Sequence, residues 1–260
     1  MSANSNFFSS SVGKKVLMAL TGLFLILFLL IHLIGNLQLL KNDAGLAFNS
    51  YAAFMTSNPL IKIVSWGTYI IILIHAIRGI TIERANRAKR STKYVVANYK
   101  RSTHWTARKM GLLGVIVLLF IIMHMSDFWW KYKFGETPWS KYTIELATGE
   151  LKNTEDATNL GVIHFTKVVD PISATEIVIA KDLYKKVVET FSNIFFVLFY
   201  VISMLAIAFH LWHGFASAFQ SLGLNHKKYN PLIHGVGKAF AIIVPILFAL
   251  IPIIMFFYHQ

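Results

Sequence analysis

The chain has 260 residues, of which 55% are hydrophobic and only 14% are charged, and its formal net charge is +13. A soluble domain is about one quarter charged, so this composition predicts a multi-pass membrane protein that forms a single domain. The chain has no cysteine, which excludes disulfides, thiolate metal sites, cysteine-bound iron–sulfur clusters and covalently attached c-type haem.

Long apolar stretches predict an all-α membrane protein with five transmembrane helices. The first stretch, 16–40, has 25 residues and no charge, and at ~1.5 Å per residue it is long enough to cross a ~30 Å hydrocarbon core. Asn58 and Pro59 are typical of the cap and first turn of the second helix. The five predicted helices are 16–40, 59–85, 106–131, 187–222 and 235–258.

The charges between these helices predict an orientation. Residues 84–109 contain nine basic residues and no acidic residue, whereas 132–189 contain nine of the twelve acidic residues. By the positive-inside rule, the amino terminus and 84–109 lie on the cytoplasmic side. The short loop 41–58 and the long loop 132–186, which has room for a short hairpin, then lie outside. Because membrane spans flank the basic residues, a nucleic-acid-binding patch is the poorer interpretation.

Two histidines are predicted to lie at a similar depth near the outer side of the membrane. His32 follows Lys15 by 17 residues, which places it ~25 Å from the inner boundary. His124 follows Lys109 by 15 residues, which places it ~22 Å from the same boundary. An imidazole inside an apolar span needs a partner, and one at matching depth on another helix is available.

Two further histidines are predicted to share an inner layer. His75 precedes Arg84 by nine residues, ~13 Å from the inner boundary, and His210 follows Glu189 by 21 residues, ~31 Å from the outer boundary. Two layers, each with two histidines from different helices, are what two bis-histidine haems in a helical bundle require. Since no cysteine is available, haem b is the natural assignment.

Other interpretations of these histidines remain open. A histidine-lined transporter or proton pathway predicts no haem, and normally predicts an internal repeat or broken helices, which the sequence lacks. A purely structural anchor, with histidines as packing contacts, also predicts no haem. His213 lies three residues after His210 on roughly the same helix face, so either could be the ligand. We favour His210 as the ligand and His213 as a contact to a haem propionate or quinone.

Four stretches closely resemble the di-haem cytochrome b membrane anchor of succinate dehydrogenases and fumarate reductases, and the resemblance extends over nearly the whole chain. The resemblance is to the single-chain, five-helix type that works with menaquinone, and the loop 132–186 is its least typical part. The stretches are SVGKKVLMALTGLFLILFLLIHLIGNL (11–37), FNSYAAFMTSNPL (48–60), IHAIRGITIERANRAKR (74–90) and AFHLWHGFASAFQSLGL (208–224).

This resemblance implies an electron-transfer subunit of the respiratory chain and tricarboxylic acid cycle in a bacterial cytoplasmic membrane. It implies two haem b groups, an inner one held by His75 and His210 and an outer one held by His32 and His124. Its partners would be a flavoprotein, which oxidises succinate, and an iron–sulfur protein, both on the cytoplasmic face. The direction of the reaction and a dimer of the whole complex are left open, as is a di-haem cytochrome b of another respiratory complex.

The resemblance also implies a menaquinone site near the outer haem and cations near the inner haem. Polar residues at the expected level of the quinone are Asn36, Gln38, Asn49, Tyr51 and Asp127. Candidate contacts to the propionates of the inner haem are Arg78, Arg84, Arg108, Lys109 and His213. An ordinary place at the membrane interface explains each polar residue equally well, and snorkelling explains the cations.

Overall fold

The computed structural model describes residues 10–88, 105–162 and 164–258, and most of them are helical. In this part of the chain, five helical stretches are long and apolar enough to cross a membrane, which confirms the prediction of five apolar spans. They are Val12–Leu40, Pro59–Ala88, Met110–Phe134, Ile194–Ser221 and Asn230–Tyr258. Five of the nine basic residues of 84–109, those within 89–104, lie outside the described residues.

The spans are built from regular helices with two irregular additions. A 3-10 turn, Leu37–Leu40, extends the first helix, and a π-helical segment, Met125–Trp130, lies within the third span. The α-helices are α1 (Ser11–Asn36), α2 (Leu46–Ser57), α3 (Pro59–Ala88), α4 (Trp105–Arg108), α5 (Met110–His124), α6 (Lys131–Phe134), α7 (Leu183–Phe191), α8 (Ile194–Ser221) and α9 (Asn230–Tyr258).

Helix ends follow local sequence signals. The side chain of Asn58 accepts hydrogen bonds from the backbone N–H groups of Leu60 and Ile61, so it caps α3 as predicted. Gly223, with φ of +78°, ends α8. The N–H of Leu224 bonds to the carbonyl of Phe219, which completes a Schellman motif.

The segment 41–58 was predicted to be a loop, and that prediction was wrong because it contains the helix α2. Asp43 begins this helix by accepting hydrogen bonds from the backbone N–H groups of Gly45 and Ala47. Gly45 has φ of +85°, a left-handed conformation that glycine adopts at little cost. The carboxylate at the free N–H groups of the first turn was the signal that would have located α2.

The predicted fourth helix, 187–222, is divided into α7 and α8. Asn193 lies at the break, and its side chain accepts a hydrogen bond from the N–H of Phe195, so it starts a new helix. Asp182 caps α7 by accepting from the N–H of Lys185. The helix therefore begins earlier than predicted, while the apolar span begins only at Ile194.

The long connection between the third and fourth spans contains a four-stranded antiparallel sheet where at most one hairpin was expected. Its strands are β1 (Trp139–Glu145), β2 (Leu151–Asp156), β3 (Thr166–Asp170) and β4 (Thr175–Lys181), in the spatial order β2-β1-β4-β3. Ser140 pairs with Ala180 and Tyr142 with Val178, and all four side chains are buried. This face explains the packing of α2 against β4 and α7.

The chain divides into two compact units, and each unit contains part of every long helix. The first comprises the described residues of Met1–Ile31, Ser65–Phe120 and Ile202–Leu247. The second comprises those of His32–Val64, Ile121–Val201 and Phe248–Gln260. Large apolar side chains are exposed on all five spans, as expected for helices that face lipid; examples are Leu27, Ile63, Leu119, Phe195 and Ile243.

Candidate functional site

The first unit brings His75 of α3 and His210 of α8 together. Their ring centroids are 6.3 Å apart, and the ring planes cross at 64°. The sequence predicted this pair from depth alone. His213, the alternative to His210, is half-buried on the same helix and close enough to His210 for an electrostatic interaction. The ring opposite His75 is therefore that of His210.

Small residues of neighbouring helices lie close to both rings of this pair. A Cβ atom at Gly22 of α1 would lie 3.4 Å from Cε1 of His75, and one at Gly114 of α5 would lie 3.7 Å from Cε1 of His210. The hydroxyl of Thr21 is 3.1 Å from Nδ1 of His75. Nδ1 of His210 is buried and has no hydrogen-bond partner among the described residues.

The second unit brings His32 of α1 and His124 of α5 together. Their ring centroids are 5.7 Å apart, and the ring planes are nearly perpendicular, at 89°. Phe248 of α9 packs on His32, with centroids 5.8 Å apart. Phe128 and Tyr200 pack beside His124, at 5.4 and 6.1 Å. Each pair thus has its two rings on two different helices.

The spacing of both pairs suits two ligands of one metal ion. An imidazole nitrogen binds a metal at about 2 Å and lies about 1 Å from its ring centroid, so two rings on opposite sides of one metal have centroids about 6 Å apart. No group of three or more His, Asp or Glu side chains in the described residues could hold a bare ion. An iron already held by four porphyrin nitrogens needs only two protein ligands, so the chemistry of both pairs fits haem.

The basic candidates do not all meet at one place. Arg108 and Lys109 line a cavity of about 440 Å³ in the first unit, together with Glu83, Arg87 and Leu112. Within it, Nε of Arg87 donates to Oε1 of Glu83 at 2.7 Å. The other candidates do not line this cavity; they are Arg78, Arg84 and His213.

Asn49, a candidate for the quinone site, lies at the centre of a buried polar network in the second unit. Its amide nitrogen donates to the hydroxyl of Tyr142 at 2.7 Å and to Oδ1 of Asp182 at 2.8 Å. Its carbonyl oxygen accepts from the backbone N–H of Tyr184 at 3.0 Å, and Ser140 donates to Oδ2 of Asp182. Both amide hydrogens are therefore used to hold α2 to the sheet and α7.

The pKa values of two tyrosines in and beside this network are raised. Burial, and then the negative charge of Asp182, raise the pKa of the Tyr142 phenol. The pKa of Tyr184 is also raised, mainly by burial. Neither Tyr142 nor Asp182 was singled out from the sequence as a functional residue. The burial of Tyr142 became apparent only in the structure, where buried and half-buried residues alternate at the start of β1.

Three other candidates for the quinone site differ in the contacts that their side chains already make. The side chain of Asn36 donates to the backbone carbonyl of His32 at 2.8 Å. The ring of Tyr51 packs directly on Gly35, where any Cβ atom would clash with it. Gln38 lies half-buried in the 3-10 turn.

Asp127 is the fifth candidate, and it retains an unused oxygen. It lies in the π-helical segment, one turn after His124, with 9% of its surface exposed. Its Oδ2 atom is buried and has no hydrogen-bond partner among the described residues. Lys131, Lys186 and Tyr200 are close enough to interact with it electrostatically.

Residues that only the structure brings into the site include Thr21, Gly22 and Gly114. Their one sequence signal is a small or hydroxyl residue in an apolar helix, which is common. No protein-family model, curated protein or solved structure matches this chain. The resemblance to di-haem membrane anchors therefore stays a prediction, and the functional argument rests on the histidine pairs.

Proposed function

We propose that this chain is the di-haem cytochrome b membrane anchor of a succinate:menaquinone oxidoreductase. The observation that carries the proposal is the pairing of four histidines from four spans into two facing pairs, one in each unit. In this proposal His75 and His210 hold one haem b, and His32 and His124 hold the other. Haem iron carries one electron at a time by alternating between its ferric and ferrous states.

The residues of the chain hold and insulate these electron carriers. Aromatic rings lie beside the second pair and limit the access of water to its imidazoles; Tyr200 is buried, and Phe128 and Phe248 are half-buried. The four histidines would hold one haem at each of the two depths predicted from the sequence, and the two haems together would supply a route for electrons across the membrane. The basic residues of the segment 84–109 then mark the cytoplasmic face, where a flavoprotein and an iron–sulfur subunit would dock.

The overall reaction requires a group near the second pair that exchanges protons with the quinone. Oxidation of succinate to fumarate on the flavoprotein releases two electrons and two protons, and reduction of menaquinone to menaquinol consumes two of each. A quinone oxygen that accepts electrons in a buried site needs a group that exchanges protons with it. Among the five candidates, Asp127 has a buried carboxylate oxygen with no other use.

The amide of Asn49 is much less suited to this task, because both of its hydrogens are already donated to Tyr142 and Asp182. We therefore assign Asn49 to the support of the sheet and Asp127 to the quinone. Lys131 and Lys186 balance the charge of Asp127. The cations Arg108 and Lys109 remain the better candidates for propionate contacts, since they line one cavity.

A haem assay of the purified chain, with its co-purifying subunits identified by mass, tests the proposal. We expect two haem b per chain, together with a flavoprotein and an iron–sulfur protein. His75→Ala and His210→Ala should each lower the haem content from two to one per chain, and His213→Ala should leave it at two. Two haems with other partners would indicate another respiratory complex. A chain without haem would overturn the ligand assignment and favour a transport pathway.

A further inference from the structure

The hydroxyl of Thr21 has a defined direction in its hydrogen bonds. Its oxygen is 2.9 Å from the carbonyl oxygen of Leu17 and 3.0 Å from that of Met18, both on its own helix. Two oxygens at this distance require a hydrogen between them, so the hydroxyl donates to these carbonyls. Towards Nδ1 of His75, at 3.1 Å, the same oxygen can only accept.

This direction determines which nitrogen of His75 carries the proton. An accepting oxygen at Nδ1 requires hydrogen there, which leaves the lone pair on Nε2 to bind a metal. Histidine ligands commonly donate their second ring N–H in this way, and the acceptor holds the ring and increases its basicity. Thr21 has 6% of its surface exposed, so water competes little for this bond.

His210, the proposed ligand opposite His75, has no such acceptor among the described residues. Gly114 of α5 occupies the position against Cε1 and Nδ1 of His210, with an added Cβ 3.7 and 4.0 Å away. Glycine has no side chain to accept a hydrogen bond, and Nδ1 of His210 has no partner among the described residues. The two imidazoles of this pair are therefore held differently.

We propose that Thr21 is a positioning residue for His75, which fixes its Nδ1-protonated tautomer, and that Gly114 leaves His210 without this support. The inference rests on the proposed role of the pair as haem ligands. A ligand with an acceptor on its second N–H donates more electron density and favours ferric iron, which lowers the reduction potential. One haem should therefore respond to changes at Thr21 and at Gly114, in opposite directions.

The experiment uses the full-length chain in its native membrane complex and measures two properties. One is the reduction potential of each haem, followed by optical and electron paramagnetic resonance spectra. The other is the rate at which each haem is lost in detergent. We expect Thr21→Val to raise the potential of one haem only and to weaken its retention by about 10- to 100-fold. Thr21→Ser, which keeps the hydroxyl, should behave like the unchanged chain.

Gly114→Ser is the reciprocal variant. Its Cβ fits at ordinary contact distance, and its hydroxyl can accept from Nδ1 of His210, so the potential of the same haem should fall. The matched control is Thr56→Val, because Thr56 donates to the carbonyl of Ala52 in the same way but its hydroxyl meets Tyr132 instead of a histidine. We expect this control to leave the potential of that haem unchanged.

The outcomes separate this inference from the proposed function. Two haems with unchanged potentials in Thr21→Val would overturn the role of Thr21 and leave the haem assignment intact. Equal haem loss in Thr21→Val and Thr56→Val would reveal a general packing effect and would also overturn it. A wild-type chain without haem would overturn the proposed function and this inference together. Loss of one haem in Thr21→Val that is absent in Thr21→Ser would support the inference.

Discussion

At the scale of single residues, the candidate site contains buried polar atoms that have no hydrogen-bond partner. Burying a polar group without a hydrogen bond is costly, so such a group in a folded protein calls for an explanation. Among the described residues, Nδ1 of His210 and Oδ2 of Asp127 are buried without hydrogen-bond partners. One lies on a proposed metal ligand, and the other lies one helical turn from another ligand, His124.

Replacement of Asp127 by asparagine tests its proposed role at the quinone. The substitution keeps the shape but removes the ability to exchange a proton, and general acid–base groups contribute about 100-fold or more to rates. We therefore expect quinone reduction to slow by about 100-fold with both haems retained, as measured by stopped-flow reoxidation of the reduced complex. Glu136→Gln, at an exposed carboxyl group, serves as the control. Equal rates in the two variants would exclude Asp127 from proton exchange.

At the scale of elements, the sheet is attached to α2 and α7 through a small number of buried polar side chains. Asn49 and Tyr142 have 1% and 0% of their surfaces exposed. Asp182 accepts from the amide of Asn49 and caps the start of α7. Gly45 lets the chain turn into α2 directly against the ring of Tyr184. These contacts are structural, and they explain why a polar residue near the predicted quinone level need not be part of a site.

Asn49→Ala should destabilise this attachment. The substitution removes the hydrogen bonds that the Asn49 amide donates to Asp182 and Tyr142, while Asp182 still accepts from Ser140 and from the N–H of Lys185. A buried polar group that is left unsatisfied costs about 1–3 kcal/mol. The change should lower the thermal unfolding midpoint in detergent and speed proteolysis within 139–181. Asn153→Ala is the matched control because Asn153 is exposed on β2, and it should change stability by no more than about 0.5 kcal/mol. Similar proteolysis of both variants would contradict the structural role of Asn49.

The raised pKa of Tyr142 predicts a loss of stability at alkaline pH. An unfolded tyrosine ionises near pH ~10, whereas the buried phenol keeps its proton to higher pH. Below pH ~10 the phenol is protonated in both the folded and the unfolded state, so this residue causes no loss of stability with pH. Above it the unfolded state loses its proton first, so the free energy of unfolding falls by about 1.4 kcal/mol per pH unit until the folded phenol also ionises.

The measurement is the thermal unfolding midpoint of the chain and of Tyr142→Phe below and above pH ~10. Phenylalanine cannot ionise, so the fall of the midpoint with pH should be shallower in the variant. Tyr184, whose pKa is also raised by burial, should account for part of the remaining slope. The same slope in both proteins would contradict the assignment to Tyr142.

At the scale of the whole molecule, each compact unit contains one histidine pair and a part of every long helix. Helix α1 supplies His32 to one pair and supports the ligand of the other through Thr21. Helix α5 supplies His124 to one pair and places Gly114 beside His210 of the other. Under the proposed function, α1 and α5 would each contribute residues to both haem sites.

The proposed orientation can be tested by labelling, because the chain has no cysteine of its own. Ile172→Cys introduces a thiol at a position that is 96% exposed in the turn between β3 and β4. Lys227→Cys introduces one in the exposed connection between α8 and α9. By the positive-inside rule, a membrane-impermeant maleimide should label the first in intact cells and the second only after permeabilisation. The reverse pattern would place the amino terminus outside.

Local properties of the sequence were sufficient to predict the five spans and to locate a histidine in each of the first four. In lipid the backbone must satisfy its own hydrogen bonds, so a long uncharged stretch can only form a helix, and its depth can be counted in residues from the flanking charges. The cap at Asn58 and the glycine end of α8 followed from equally local rules. The sheet was largely missed because its strands combine polar and β-branched residues without a strong apolar alternation.

Only the tertiary structure decided which side chains meet. Thr21 and His75 are 54 residues apart, and Asn49 and Asp182 are 133 residues apart, so no local pattern relates them. The choice between His210 and His213 likewise depends on how α8 is rotated towards α3, which the periodicity of an almost uniformly apolar helix does not specify. Hydrophobicity determines where a membrane helix begins and ends, but the partners of its few polar atoms depend on the packing of its neighbours.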